Sequence, residues 1–459
     1  MSDLILTDIQ GFILRGYNMP TVRHFILKIN QAEAARRFVG SLVDGAVAHP
    51  QITSAAHWGS DKPNYGLNIG FTYEGLKALA LPAPSLYSFS GSRAFVAGAA
   101  ARAKAIGDTG ESAPERWDKH LGTADVHILL SLYAQSPALL ESYTTLLCNL
   151  FAQQNALTEL SHYDGQELPD QRIHFGYSDG ISQPTIAGGP DNKYQYPDLQ
   201  PAASPGEFLL GYPSQWKDFQ FPVPIPGALG KNGSFAAFRV LDQHVAAFDQ
   251  YLKKTATALK AKYPTLGMDE EKLAAKICGR WRNGVPLALS PETDSPQVLP
   301  IPEDGLNRFD YSEDQEGYRC PFGSHMRRAN PRGDKVAGNG AHKHRIIRRG
   351  MPYGPPYNPA LPNDGYKRGL LGLFICVSLD DQFEFLMADW LNEGGFSGGV
   401  PTGTKDPLIG NNTPEQSKFI IPAKGKSLIL EGFPRFVTTR GGAYCFLPSI
   451  TALRYIAAL

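Results

Sequence analysis

Apolar positions along the chain recur in two rhythms that take turns. Residues 23–29 (Arg-His-Phe-Ile-Leu-Lys-Ile) form a strand-like apolar run, and over 31–42 Ala, Phe and Leu return at helical spacing. Residues 65–73 predict a second strand and 74–81 a short helix stopped by Pro82. Residues 125–134 predict a third strand, followed by a helix over 136–152. Strands alternating with helices and joined by short returns fit a ferredoxin-like α+β domain.

Between about Pro184 and Pro226 the chain becomes rich in Pro, Gly, Asp, Gln and Tyr, which holds no long regular element. The domain boundary is placed there, giving an amino-terminal domain over 1–200 and a carboxy-terminal domain over 201–459. Beyond the boundary the rhythm resumes. A strand is predicted over 233–241, helices to about 262 and over 268–277, a turn over 279–286, a buried strand over 369–378 and a helix over 382–391. The two halves share this order of elements without residue-level repetition at a fixed period. The fold class expected is α+β, a pair of such domains with long insertions.

With 459 residues, 42% of them hydrophobic, the chain can bury a sizeable core. Forty-four basic and 44 acidic residues cancel, which excludes the uniformly positive field that nucleic-acid or anionic-membrane binding needs. No apolar run is long enough to span a bilayer, and the start of the sequence has no export-signal pattern, so cytoplasmic residence is expected. Five widely spaced cysteines contain no Cys-x-x-Cys pair and no Cys-x-x-Cys-His, so they are expected to be reduced, buried thiols, with none placed for covalent attachment of a cofactor.

Three separated motifs carry chemistry. His325 stands in Cys320-Pro-Phe-Gly-Ser-His-Met-Arg-Arg-Ala-Asn-Pro-Arg332, and a neutral imidazole can hold a metal if its other nitrogen donates to a partner that fixes the tautomer. Asp380 and Asp381, just past the 369–378 strand, are the acids expected to serve as that partner. Asp179 lies in Gly176-Tyr-Ser-Asp-Gly180, where glycines permit a tight turn that brings a carboxylate up to a flat ligand as a general base; an Asx-type turn is the plain structural alternative. Arg348, in the basic turn starting at Ile347, offers a permanent charge to stabilise developing anionic oxygen, against the alternative of a solvated surface charge. Arg332 is expected to pair with a carboxylate of the cofactor, with Arg327 and Arg328 as competitors. His342 and His344 lack a fourth ligand at zinc-site spacing.

Taken together, Gly-x-x-Asp-Gly at 176–180, Cys-Pro-x-Gly-Ser-His-x-Arg-Arg-x-Asn-Pro-Arg at 320–332 and Ile-x-Arg-Arg-Gly-x-Pro-Tyr-Gly at 346–354 resemble the dye-decolourising peroxidases. The resemblance runs from Thr7-Asp-Ile-Gln-Gly through Pro205-Gly-Glu-Phe-Leu-Leu-Gly-Tyr-Pro213 to Arg368-Gly-Leu-Leu-Gly-Leu-Phe-Ile-Cys376 and looks like the longer, cytoplasmic subgroup. It implies two ferredoxin-like domains forming a dimeric α+β barrel, with haem b held mainly by the second. It also implies that His325 is the proximal iron ligand, Asp179 the distal acid/base and Arg348 the distal arginine. Leu373 and Phe374 would line the distal face, and His174, five residues before Asp179, would sit near the haem edge.

The implied activity is peroxide-dependent oxidation of dyes, phenols and related aromatic donors. A carboxylate is a weaker base than imidazole, so turnover is expected to be best under acidic conditions. Trp281 and Tyr353 are among the aromatic residues available as surface relays for bulky donors. Self-association into a homo-oligomer is compatible with the sequence. Two other readings stay open at this stage: a haem-handling protein on the same scaffold without turnover, and a metal-free binding module in which the motifs are structural turns.

Overall fold

In the computed structural model, the described residues are 4–459 apart from 46–48, 60, 119, 153–154, 191–198, 217–218, 296–302, 334–341, 363 and 395–402. The apolar runs of the first half become β1 (Thr21–Ile29), β2 (Tyr65–Phe71) and β3 (Ile128–Ala134), joined by β4 (Leu157–Gln166). The second half contributes β5 (Ser234–Gln243), β6 (Ile347–Tyr353), β7 (Gly369–Cys376), a small hairpin of β8 (Lys418–Ile421) and β9 (Leu428–Glu431), and β10 (Val437–Leu447). The helices predicted after β1, β3 and β5 are present over Ala32–Asp44, Pro137–Ala152 and Val245–Lys262.

Eight strands form one antiparallel sheet in the order β4-β1-β3-β2-β10-β5-β7-β6. Numbered within each half, the strands of both run 4-1-3-2, the ferredoxin-like order, so the halves are architectural copies. β2 and β10 meet at the bridge pair Phe71–Phe446. At the far ends β4 and β6 approach each other, with Met351 of β6 filling the space above Gly165 of β4. The sheet thereby curls into an α+β barrel, and side chains of the two halves face each other inside: His24 lies 5.1 Å, ring to ring, from Phe238, and Tyr163 lies 6.1 Å from it. Phe89, Phe95, Phe235 and Phe446 pack edge to face or tilted outside it, each ring adding about 2–3 kcal/mol of burial.

Two expectations need correction. The segment from Ile347, read as a basic turn, is the strand β6; Gly350 and Pro352 are tolerated because β6 is an edge strand paired only with β7. The helix expected over 382–391 begins earlier and is wound in wide π turns over Leu379–Glu384 and Leu386–Leu391. All five cysteines are free thiols, four buried and Cys148 half-buried. Among the described residues no helix is long and apolar enough to cross a membrane.

Candidate active site

His325 opens a five-residue helix, His325–Ala329, that ends at Asn330 because Pro331 disfavours helical geometry in the residue before it. Three contacts fix this short helix. Ser324 Oγ donates to the Lys276 carbonyl at 2.5 Å. Arg327, fully buried between the rings of Tyr311 and Phe322, donates to Asp314 at 2.9 Å and to the Cys320 carbonyl at 2.6 Å. Arg328, equally buried, donates to the carbonyls of Trp390 and Glu393. Neither arginine lines the cavity described below, so the two anchor the helix and do not compete for a cofactor carboxylate.

His325 Nδ1 lies 2.9 Å from Oδ2 of Asp406, which is 0% exposed. An ionised carboxylate only accepts, so Nδ1 carries a proton, and in the neutral ring that leaves the lone pair on Nε2. Burial pushes the Asp406 carboxyl up, but His325, the Ile409 amide and Arg328 outweigh it and hold the carboxyl below its usual range. The other oxygen, Oδ1, accepts from the amides of Leu408 and Ile409 at 2.8 Å each. This is the tautomer-fixing partner a metal-ligating histidine needs. It replaces the expected acids: Asp380 accepts from the Ala94 amide, and Asp381 accepts from Ser378 Oγ, both away from the cavity. The signal for Asp406 in the sequence was Lys405-Asp-Pro-Leu-Ile409, an Asx turn before an apolar pair.

A cavity of about 600 Å³ brings His325 together with Asp179, Arg348, Leu373 and Phe374. That volume lies within the range of cofactor and ligand pockets. Asp179 sits in a turn whose glycines 176 and 180 have φ of +88° and +74°. Its amide donates to the Gln171 carbonyl, and its carboxylate has no hydrogen-bond partner among the described residues. The turn is tied to β6 by Gln183, whose side-chain amide pairs with the backbone of Arg348 in both directions, at 3.0 and 2.9 Å. Arg348 Nη2 in turn donates to the Ser182 carbonyl at 2.6 Å. One side-chain amide thus brings the carboxylate turn and the guanidinium to the same wall.

Register separates the two residues expected to share the distal face. Phe374 is paired directly with Arg348 across β6 and β7 and leaves the sheet on the same side. Leu373, its neighbour, pairs with Arg349 and leaves on the other side, because successive side chains alternate.

Two other residues expected at the cofactor, Arg332 and His174, stand off the wall. Arg332, 1% exposed, donates to the carbonyls of Asn307 and Phe309 and to Ser182 Oγ, and stacks 4.1 Å over the Phe309 ring. It stands behind Ser182 and Asn307, which do line the cavity. His174 is buried, with Nε2 2.8 Å from the Tyr353 carbonyl; burial lowers its pKa. It is not a wall residue. Trp281 is buried and donates to the Ser290 carbonyl, and the Tyr353 hydroxyl donates to Asp242. His344 stacks on Phe385 with ring centroids 3.7 Å apart, and its Nδ1 meets the Asp381 carbonyl.

Arg239, a wall residue with no place in the sequence expectations, is 1% exposed and paired with Asp108 at 2.6 Å. The strand 234–243 was the available signal, since a charge inside an apolar run of buried residues demands a partner.

A family model described as the DyP dimeric alpha+beta barrel domain matches residues 8–169. The chain is 31% identical to a dye-decolourising peroxidase of Mycetinis scorodonius, over 99% of this chain and 88% of that protein. It is 30% identical to one of Exidia glandulosa, over 99% and 87%. Among solved structures, a dye-decolourising peroxidase in complex with 2,6-dimethoxyphenol has a TM-score of 0.84 at 28% identity, covering 99% of this chain and 100% of that one. The fungal enzyme of Auricularia auricula-judae has a TM-score of 0.83 at 26% identity, covering all of both chains. With its barrel, its cavity and this full-length similarity, the chain belongs to the dye-decolourising peroxidases and is a peroxidase.

Proposed function

We propose that the protein is a haem b peroxidase, binding the cofactor without a covalent link and using hydrogen peroxide to oxidise dyes, phenols and related aromatic donors. The observation that carries this reading is His325: Nδ1 is committed to a buried carboxylate, so Nε2 keeps its lone pair on the wall of a cavity that also holds Asp179 and Arg348. The donor set suits haem iron, which takes a neutral imidazole made electron-rich by a carboxylate partner. The engineered haem pocket of a solved relative, a dye-decolourising peroxidase 25% identical to this chain with a TM-score of 0.81, adds support. Bound here, haem supplies the redox chemistry, accepting oxidising equivalents from peroxide and passing them to donors one electron at a time.

The protein's own groups do the rest. Asp179 takes the proton from the inner oxygen of hydrogen peroxide and delivers it to the outer oxygen, so that the leaving group departs as water rather than hydroxide. Arg348 offers its guanidinium to the negative charge that builds on oxygen as the O–O bond breaks. Phe374 and Leu370, on the face of Arg348, keep that wall apolar and limit competing water. Arg332, one layer back, lends positive potential to the end of the cavity where Ser182 and Asn307 would receive a cofactor carboxylate. The chain is taken as two domains, 1–200 supplying Asp179 and 201–459 supplying His325 and Arg348. Cytoplasmic residence is favoured by the five free thiols.

Three variants test the reading. Asp179→Asn and Arg348→Leu are expected to retain the cofactor's Soret band while turnover falls about 10²–10⁴-fold and 10²–10³-fold. His325→Ala is expected to lose or displace that band. Asp179→Asn turning over at the wild-type rate would remove the assigned proton carrier.

A further inference from the structure

The cavity does not end at the wall of Arg348 and Phe374. It continues into the mouth of the barrel, where Gly16, Tyr17, Met19, Tyr133 and Met351 contribute to the same continuous lining. The register explains which side chains frame it. Across β4, β1, β3 and β2 one row of directly paired residues reads Gly165, Val22, Tyr133, Gly66, all on the inner face. Glycines at both ends of the row leave space, and two neighbours move into it. A Cβ at Gly66 would fall 2.4 Å from the Tyr17 ring, and one at Gly165 would fall 2.5 Å from Met351. The rings of Tyr17 and Tyr133 stand edge to face, 5.3 Å apart. The result is a lobe framed by two aromatic rings and two thioethers, with exposed Asn18 and half-buried Glu167 at its rim.

The two tyrosine hydroxyls differ. Tyr17 donates to Asn68 Oδ1 at 2.7 Å. Tyr133 is 8% exposed and lines the cavity, yet its hydroxyl has no hydrogen-bond partner among the described residues. Buried tyrosine hydroxyls ordinarily find one. Burial raises its pKa to about 12 against the opposing charge of Arg349, so the group stays protonated and available as a donor. A lobe walled mainly by aromatic and thioether groups, with one O–H that no described protein group accepts and the Arg349 guanidinium nearby, fits an aromatic ligand bearing one oxygen.

We propose that the barrel mouth is a second binding site, for a phenolic donor, whose ring packs between Tyr17, Met19 and Met351 while its oxygen accepts from the Tyr133 hydroxyl. The class of ligand rests on the peroxidase reading above; the site itself rests on the register and on Tyr133. Because the lining is continuous from Tyr133 to His325, a donor seated there lies in the same cavity as the cofactor lobe.

The test is calorimetric titration of the cofactor-loaded protein, without peroxide, with p-cresol and with toluene, which has the same shape and no oxygen. Wild type is expected to favour p-cresol over toluene, and in Tyr133→Phe that ratio is expected to drop about tenfold, the loss of one hydrogen bond to an otherwise unpaired donor. Tyr133→Phe removes a single oxygen from a folded core, and its reaction with peroxide, followed by the change in the Soret band, is expected to match wild type. A p-cresol to toluene ratio that is the same in both proteins would overturn the site and assign the lobe to water. Loss of the peroxide response in wild type would instead strike the peroxidase reading and leave the binding comparison to stand by itself.

Discussion

Replacing Asp406 by asparagine changes one atom and reverses one hydrogen bond. In the wild type the carboxylate receives three donors while fully buried: His325 Nδ1 at 2.9 Å and the amides of Leu408 and Ile409 at 2.8 Å. An asparagine oxygen can keep the two backbone donors, but the group facing Nδ1 becomes an NH2, which donates. His325 must then hold its proton on Nε2, the nitrogen left for the cavity, and a protonated nitrogen cannot bind a metal. Restoring the original tautomer sets two donors against each other in a buried place, at about 1–3 kcal/mol. Cofactor affinity is therefore expected to fall roughly 10–100-fold, the usual range for an outer partner of a metal ligand. Thermal stability of the cofactor-free protein should change little by comparison. Asp406→Ala, which strands all three donors, is expected to cost about 3–5 kcal/mol of folding stability as well. The assay is the rate of haem transfer to excess apomyoglobin, read from the Soret band, beside a thermal melt of the cofactor-free protein. Asp406→Asn releasing haem within twofold of the wild-type rate would refute the tautomer argument.

Other parts of the molecule make further expectations. His24 is pushed down to about 3, chiefly by burial against a small opposing pull from Asp164. Between pH 6.5 and about 3 the unfolded chain therefore binds a proton that the folded chain refuses, and stability falls as pH falls through that window, by on the order of 5 kcal/mol in total. His24→Gln should flatten the difference between urea melts at pH 7 and pH 4, and an unchanged difference would show that other groups dominate. Gly372→Ala would place a Cβ 2.7 Å from the Phe374 ring, at a cost of about 1–3 kcal/mol, seen as a lower Tm and an altered near-ultraviolet dichroism. Arg327→Met removes the buried partner of Asp314 and the main tether of the His325 helix. A loss of about 3–5 kcal/mol in denaturant melts is expected, and an unchanged melting midpoint would count against the tether.

The strands legible in the sequence are those buried on both faces. β1, β3 and β7 are near-continuous apolar runs and were located to within a few residues. β4, Leu-Thr-Glu-Leu-Ser-His-Tyr-Asp-Gly-Gln, is an edge strand whose half-exposed residues carry no apolar signature. β6 hid behind Gly350 and Pro352, which punctuate turns elsewhere but are admissible on an edge. β10 holds two glycines beside a bulge between Thr439 and Gly441, which breaks the alternation a strand would otherwise display. At the site, Asp179, His325 and Arg348 each stand in a local motif that the sequence displays, and one cavity lining holds all three. Asp406 was missed because it meets His325 across 81 positions of sequence, and no local pattern records such a contact. Arg332 and His174 are expected at the cofactor because of their neighbours in sequence, whereas the fold turns Arg332 to the carbonyls of Asn307 and Phe309 and His174 to that of Tyr353, both off the cavity lining.

β10 has a consequence for how the enzyme is made. It lies between β2 and β5, and so among the described residues it is the one strand through which the sheet joins the two halves, yet it comes after the other described strands in chain order. A ribosome that has translated the first 430 residues holds a chain in which the outer edge of β2 and the outer edge of β5 are both unpaired. Unpaired edges invite the wrong partners, including the same edges on a neighbouring nascent chain. The glycine-bearing, bulged strand that closes both edges also carries Thr439 and Val437 to the cavity wall. Completion of the cavity wall therefore waits on β10, and a chain cut short before residue 437 would present open edges to the cell's folding machinery while lacking part of the pocket.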